Sequence, residues 1–227
     1  MCWSMTADLV AGGAIGTAGL VCLARVRDAR DLPLAALPLL LGVHQLVEAA
    51  IWHAGGGAGP VVTLWAVIAL PLLPAWVPLG VLLAAAPPRP RRLYPPVLLG
   101  LLTSALLAAH LAGGTVTAEI RGRRIGYGVD LPHGLPLLAG YLLATIGALL
   151  LAEDRALRRL GLVTGVGAAG CAALWRLEFV STWCALAAVA SLLLLPWPRR
   201  RERRAADPAG TAGGDERAAA GPAGLPG

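Results

Sequence analysis

The sequence predicts an all-α fold, a polytopic transmembrane bundle of seven spans with a short β-hairpin in one extracytoplasmic loop. Three observations predict it. Hydrophobic residues make up 57% of the chain and charged residues only 14%, where soluble domains carry about a quarter charged residues. The charges fall in clumps between long uncharged stretches, and mean hydropathy is +0.69. The apolar stretches show no polar face at helical spacing, and each is near the roughly 20 residues a helix needs to cross the hydrocarbon.

The spans expected are residues 9–24, 34–53, 61–86, 95–112, 135–152, 160–175 and 179–197. In the first, Gly12 and Gly16 stand one helical turn apart, as Gly161 and Gly165 do in the sixth, and such pairs let helices approach closely. The second holds "LLGVHQLVEAAIWHA", an apolar run interrupted by His44, Gln45 and Glu48. In the third, "LPLLPAWVPLG" puts Pro71, Pro74 and Pro78 around Trp76. Each proline removes an N–H and crowds the preceding turn, so a bent or locally opened helix follows, serving either as a gate or as a fixed kink. Between the fourth and fifth spans, "TVTAEIRGRRIGYGVDLPHG" alternates Val116, Ala118 and Ile120, then Ile125, Tyr127 and Val129, about a Gly-containing break. That is the pattern of a hairpin, expected to lie over the outer mouth of the bundle. Residues 1–198 form the membrane domain. Residues 199–227 are polar, rich in Ala, Gly and Pro and without apolar periodicity, which predicts a disordered cytoplasmic tail. Its arginines either touch anionic lipid or simply fix topology.

Orientation follows from charge. Arg25, Arg27 and Arg30 follow the first span, Arg89, Arg91 and Arg92 the third, Arg155, Arg158 and Arg159 the fifth, and Arg199, Arg200, Arg201, Arg203 and Arg204 the seventh. The alternate connections carry "HAGGGAGP" without charge, Arg121, Arg123 and Arg124 offset by Glu119 and Asp130, and Arg176 beside Glu178. The asymmetry places the N-terminus outside and the C-terminus in the cytoplasm.

Several classes are excluded. The net charge is +6 and every basic residue is Arg. These arginines sit at the ends of apolar runs, which argues for membrane orientation and against nucleic acid. Without Lys there is no Schiff base for retinal. Cys2, Cys22, Cys171 and Cys184 form no Cys-x-x-Cys pair. Val21 before Cys22 does not fit a lipoprotein acceptor, and the first Arg follows the first apolar run, so no cleavable signal is expected. No cofactor is called for.

His44 and Glu48 are four residues apart and Gln45 and Glu48 three apart, spacings that share one helical face. The second span runs outward, so His44 lies near mid-membrane and Glu48 in the outer half. Ionisable groups there cost about 3 kcal/mol each on insertion scales and normally face the interior with partners. Cys2 and Ser4, His110, His133, Glu178, Ser181 and Cys184, with Trp52, Trp175 and Trp183, reach the same zone. The pocket candidates are His44, Gln45, Glu48, Trp52, His110, Glu178, Ser181 and Cys184, with Tyr127 and His133 as lid candidates. Three readings stay open: a structural polar network, a ligand pocket of a sensor or transporter, and a metal or hydrolytic centre using His44, Glu48, His110 or His133. No compact zinc motif supplies the three protein ligands the last would need. Cys184 has no His neighbour in sequence, and packing is its simpler role.

Together "MCWSMTA", "HQLVEAAIW", "PAWVPLG", "IGYGVDLPHG", "YLLAT" and "EFVSTWCALAA" resemble a family of bacterial multi-pass membrane proteins of unknown function whose members begin Met-Cys-Phe-Ser-Ala. The likeness spans nearly the whole chain except the tail, and departs at Trp3 and Met5. It implies a bacterial plasma membrane protein and carries no activity with it. The His-x-x-x-His pair of the alkaline ceramidase superfamily and the Pro-Gln dipeptide of sugar-transporter-like seven-span proteins are both absent. The partners expected are the lipid bilayer and an unknown small molecule or lipid.

Overall fold

A computed structural model describes residues 4–122, 124–129, 134–174 and 179–206. Seven long helical segments run through it. They are α1 (Met5–Leu23); α2 (Leu32–Ala35) continued by α3 (Leu37–Ala54); α4 (Pro60–Val67) continued by α5 (Leu73–Ala84); α6 (Tyr94–Gly113); α7 (Gly134–Leu151); α8 (Arg155–Leu174); and α9 (Phe179–Ser191). Among the described residues six segments are long and apolar enough to cross a membrane, as a multi-pass membrane protein requires. The helix α8 is not one of the six. It begins five residues before the expected span, over Arg155, Arg158 and Arg159, and those arginines shorten its apolar stretch.

The first helix starts where Ser4 caps it, its side chain accepting from the Ala7 N–H at 3.2 Å. It buries a stripe of Asp8, Gly12, Ile15, Gly16, Gly19 and Cys22 against α3. Glycine sets that spacing: a Cβ on Gly42 would lie 2.5 Å from the Gly16 nitrogen, and one on Gly19 would lie 2.3 Å from the Leu39 nitrogen. Gly12 meets Leu46 in the same way. The two helices are thus antiparallel, with Gly12 level with Leu46 and, one turn further, Asp8 level with Glu48 to Ala50.

The third span opens as its prolines predict. Residues Ile68–Leu72 form a turn of π-helix between α4 and α5. Pro71, Pro74 and Pro78 withhold the N–H groups that would reach the carbonyls of Val67, Leu70 and Pro74. Neighbours fill the opened region. The Ser104 hydroxyl donates to the Pro71 carbonyl at 2.5 Å, and Trp76 Nε1 donates to the Pro33 carbonyl at 2.8 Å. Gly100 lets α6 close against the Pro74 carbonyl, where a Cβ would stand only 2.0 Å away.

The hairpin is present, as β2 (Thr117–Arg121) and β3 (Arg124–Gly128), antiparallel with Ala118 opposite Tyr127. Val116, Ala118 and Ile125 are buried, so the alternation does select one inward face. A third strand was not foreseen: β1 (Gly57–Ala58), from the glycine-rich connection, pairs with β2. Gly56, at φ +81°, turns the chain where a side chain would meet the Ala118 carbonyl at 2.6 Å.

The opposite end collects the arginines. Arg25 donates to the Leu195 carbonyl, and Arg92 to the Leu151 carbonyl and to Glu153 at 2.8 Å. The tail expected from Arg199 is described as far as Ala206. Trp197–Ala206 is a helix, α10. It is held by Trp197, which is fully buried, and by Arg201, which pairs with the buried Asp31 at 2.8 Å and covers the Trp197 ring. Composition alone hid this, because the anchors are one tryptophan and one ion pair and not a periodic apolar face. Residues 207–227 lie outside the described residues.

Candidate functional site

The polar stretch of α3 splits cleanly by face. Val43 and Leu46 are 40% and 39% exposed, whereas His44, Gln45 and Glu48 are at most 1% exposed. Leu41 and Ile51 extend the buried face. The i, i+3, i+4 spacing therefore does what it promised: three polar side chains point inward at neighbouring heights.

Trp65 organises this layer. Its Nε1 donates to Glu48 Oε2 at 3.3 Å. Its ring lies 5.1 Å from the His44 ring at 30° and stacks on Tyr127 at 3.4 Å and 8°. These ring contacts link His44 of α3 and Trp65 of α4 to Tyr127 of β3 in the sheet. Trp65 was missed in the sequence, where it reads as one more apolar residue of the third span. Its signal would have been an indole N–H placed inside a span, since buried Trp N–H groups usually find an acceptor. Asp8 was missed too. It is 2% exposed and level with the same layer, and it escaped notice because it fell one residue before the expected span.

The polar atoms of this layer are unevenly served. Neither ring nitrogen of His44 has a hydrogen-bond partner among the described residues, and the same holds for Gln45 Nε2 and Trp52 Nε1. Buried polar groups are nearly always bonded to protein or to ordered water. All four atoms belong to one face of α3.

Cys184 lines a cavity of about 50 Å³ with Leu41, Tyr141, Thr145, Thr164 and Trp183, where five helical segments meet. The hydroxyls there are spent locally, Thr145 on the Tyr141 carbonyl and Thr164 on the Leu160 carbonyl, while Trp183 Nε1 donates to the Thr164 carbonyl. The chamber is therefore apolar in effect. His110 turns to its own helix, Nδ1 2.7 Å from the Leu106 carbonyl, and is part exposed. Ser4 is spent as a helix cap. His133 and Glu178, like Cys2, lie outside the described residues, as does the side chain of Ser181. Among the described residues no three of His, Cys, Asp and Glu come together as a metal site would require.

Residues 1–209 match the family of unknown function DUF6629. The chain belongs to this family. The match covers all seven helical segments and the sheet, so the layer around His44 and Trp65 lies within the part the family shares. No curated protein and no solved structure matches the chain.

Proposed function

We propose that this member of DUF6629 is a seven-span membrane protein, N-terminus outside, that binds a small polar molecule in an internal site beneath its extracytoplasmic sheet, as a sensor or carrier does. The observation that supports it is the His44 ring, wholly buried with both nitrogens unbonded among the described residues, on the same helical face as the spare N–H groups of Gln45 and Trp52. Those atoms offer mainly donors. The ligand they suit is rich in acceptors, such as a hydroxylated or carboxylated small molecule. Intramembrane ionisable residues mark functional sites by default, and the layer lies on the side away from the arginine clusters, which fits an outward-facing site. The seventh crossing is α8, whose first-turn arginines then stand at the cytoplasmic surface.

A second reading has its own support. The Glu48–Trp65 hydrogen bond and the Trp65–Tyr127 stack suit a structural network that ties the sheet to the bundle. A metal-dependent hydrolase, the third possibility raised by the sequence, draws no support from the clustering of side chains. The experiment is a thermal-shift screen of polar metabolites against purified protein, repeated with His44→Leu and Glu48→Gln. A binding site predicts stabilisation by some metabolite that both substitutions abolish. If no metabolite acts and Glu48→Gln only lowers stability, the structural network replaces the binding site. Stoichiometric metal in the purified protein, lost in His44→Leu, would restore the hydrolase.

A further inference from the structure

A hollow at the arginine end, outside the polar layer, has the composition of an anion site. It measures about 390 Å³ and is lined by Arg25, Leu195, Pro196, Arg199 and Arg200. Three of its five lining residues are arginines drawn from two distant parts of the chain, and none is acidic. Arg25 is held in place because its Nη1 donates to the Leu195 carbonyl at 3.4 Å. Arg201, next in sequence, is committed inward to Asp31 and Trp197, and that fixed helix turns Arg199 and Arg200 outward, where both are exposed. Among the side chains described, which do not include that of Glu202, no carboxylate pairs with Arg25, Arg199 or Arg200. Three like charges around one hollow repel one another unless an anion joins them, and guanidinium groups bind phosphate oxygens through paired N–H donors. Leu195 and Pro196 lie in the last third of the apolar segment Thr182–Arg201, so the hollow has a greasy edge and a cationic floor.

We propose that this hollow binds the phosphate of an anionic phospholipid of the arginine-side leaflet. The inference rests on the membrane placement but not on the ligand site beneath the sheet. Arg25, Arg199 and Arg200 hold the phosphodiester while the acyl chains run along the exposed flank beside Leu195. Loss of two such charges weakens binding about thirtyfold, at about fivefold for each arginine near an anionic surface.

The test titrates the full chain in neutral detergent with short-chain phosphatidylglycerol, short-chain phosphatidylcholine and inorganic phosphate. Phosphatidylglycerol is expected to bind, the other two not. R199Q/R200Q is expected to weaken it about thirtyfold, and R158Q/R159Q, which removes the same charge elsewhere on that end, to leave it within about twofold. Should the glutamine pair fail to fold, R199K/R200K keeps the charge but loses the paired donors, and is expected to weaken binding severalfold. The proposal is overturned if phosphatidylcholine binds equally, if R158Q/R159Q weakens binding as much, if the lysine pair binds unchanged, or if inorganic phosphate displaces the lipid, which would make the hollow a free-phosphate site.

Discussion

Replacing His44 by leucine separates a site waiting for a ligand from a network already complete. The His44 ring is fully buried with neither nitrogen bonded among the described residues, and an unsatisfied buried polar group costs about 1–3 kcal/mol. Leucine fills a similar volume and removes that penalty. Against this stands the loss of ring contact with Trp65, 5.1 Å away, for which aromatic pairs suggest about 0.5–1.5 kcal/mol. The ligand-free variant is therefore expected to be more stable than the parent by about 1 kcal/mol, which in a chain of this size raises the melting temperature by about 2–4 °C. Thermal unfolding of the detergent-solubilised protein, followed by tryptophan fluorescence, measures it. A fall of more than about 2 kcal/mol, the cost of breaking good buried hydrogen bonds, would show that His44 is already bonded in the empty protein and would refute the reasoning.

Three further outcomes follow from particular contacts. Trp65→Phe removes the N–H that Glu48 accepts and is expected to cost about 1–3 kcal/mol, the cost of leaving a buried polar group unsatisfied, measured by the same unfolding signal. Gly100→Ala drives a methyl group against the Pro74 carbonyl and is expected to cost about 3 kcal/mol, the upper range for overpacking. Gly13→Ala, where a Cβ meets nothing within 4 Å, is expected to be neutral or to stabilise by up to about 1 kcal/mol through helix propensity; equal effects of the two would show that α6 does not close on the proline turn. Arg201→Gln leaves Asp31 buried without its cation and is expected to loosen α10, read as faster trypsin cleavage among Arg199 to Arg204, whereas Arg158→Gln leaves that rate unchanged.

Most of the architecture was legible in the sequence because solvation dictates it. Apolar length gave the helical segments, three prolines gave the opened turn at Ile68–Leu72, and period-two alternation gave the hairpin. The strand at Gly57–Ala58 was not legible, since glycine and alanine carry no alternation and pair only because β2 lies beside them. The α10 helix was hidden for a related reason: Trp197, Arg201 and Asp31 become partners only in three dimensions. In the candidate site, His44, Gln45 and Glu48 stood out as polar atoms in an apolar run. Trp65 and Asp8 did not, one because an indole counts as hydrophobic, the other because it sits at a boundary that composition places only to within a few residues. Helix rotation, which span-level reading does not resolve, sends the Cys184 thiol to the apolar cavity and the His110 imidazole to its own backbone.

The proposed topology depends on seven crossings, because the connection between α8 and α9 reaches the outer face only if α8 traverses the bilayer. Single cysteines at Arg121, Arg176, Arg91 and Arg158, in a Cys2→Ser background that leaves the buried Cys22, Cys171 and Cys184, probe this in intact cells with an impermeant maleimide. The account predicts labelling at 121 and 176 from outside, and at 91 and 158 only after permeabilisation. Labelling of the cysteine at 176 only after permeabilisation would reduce the crossings to six and contradict the account.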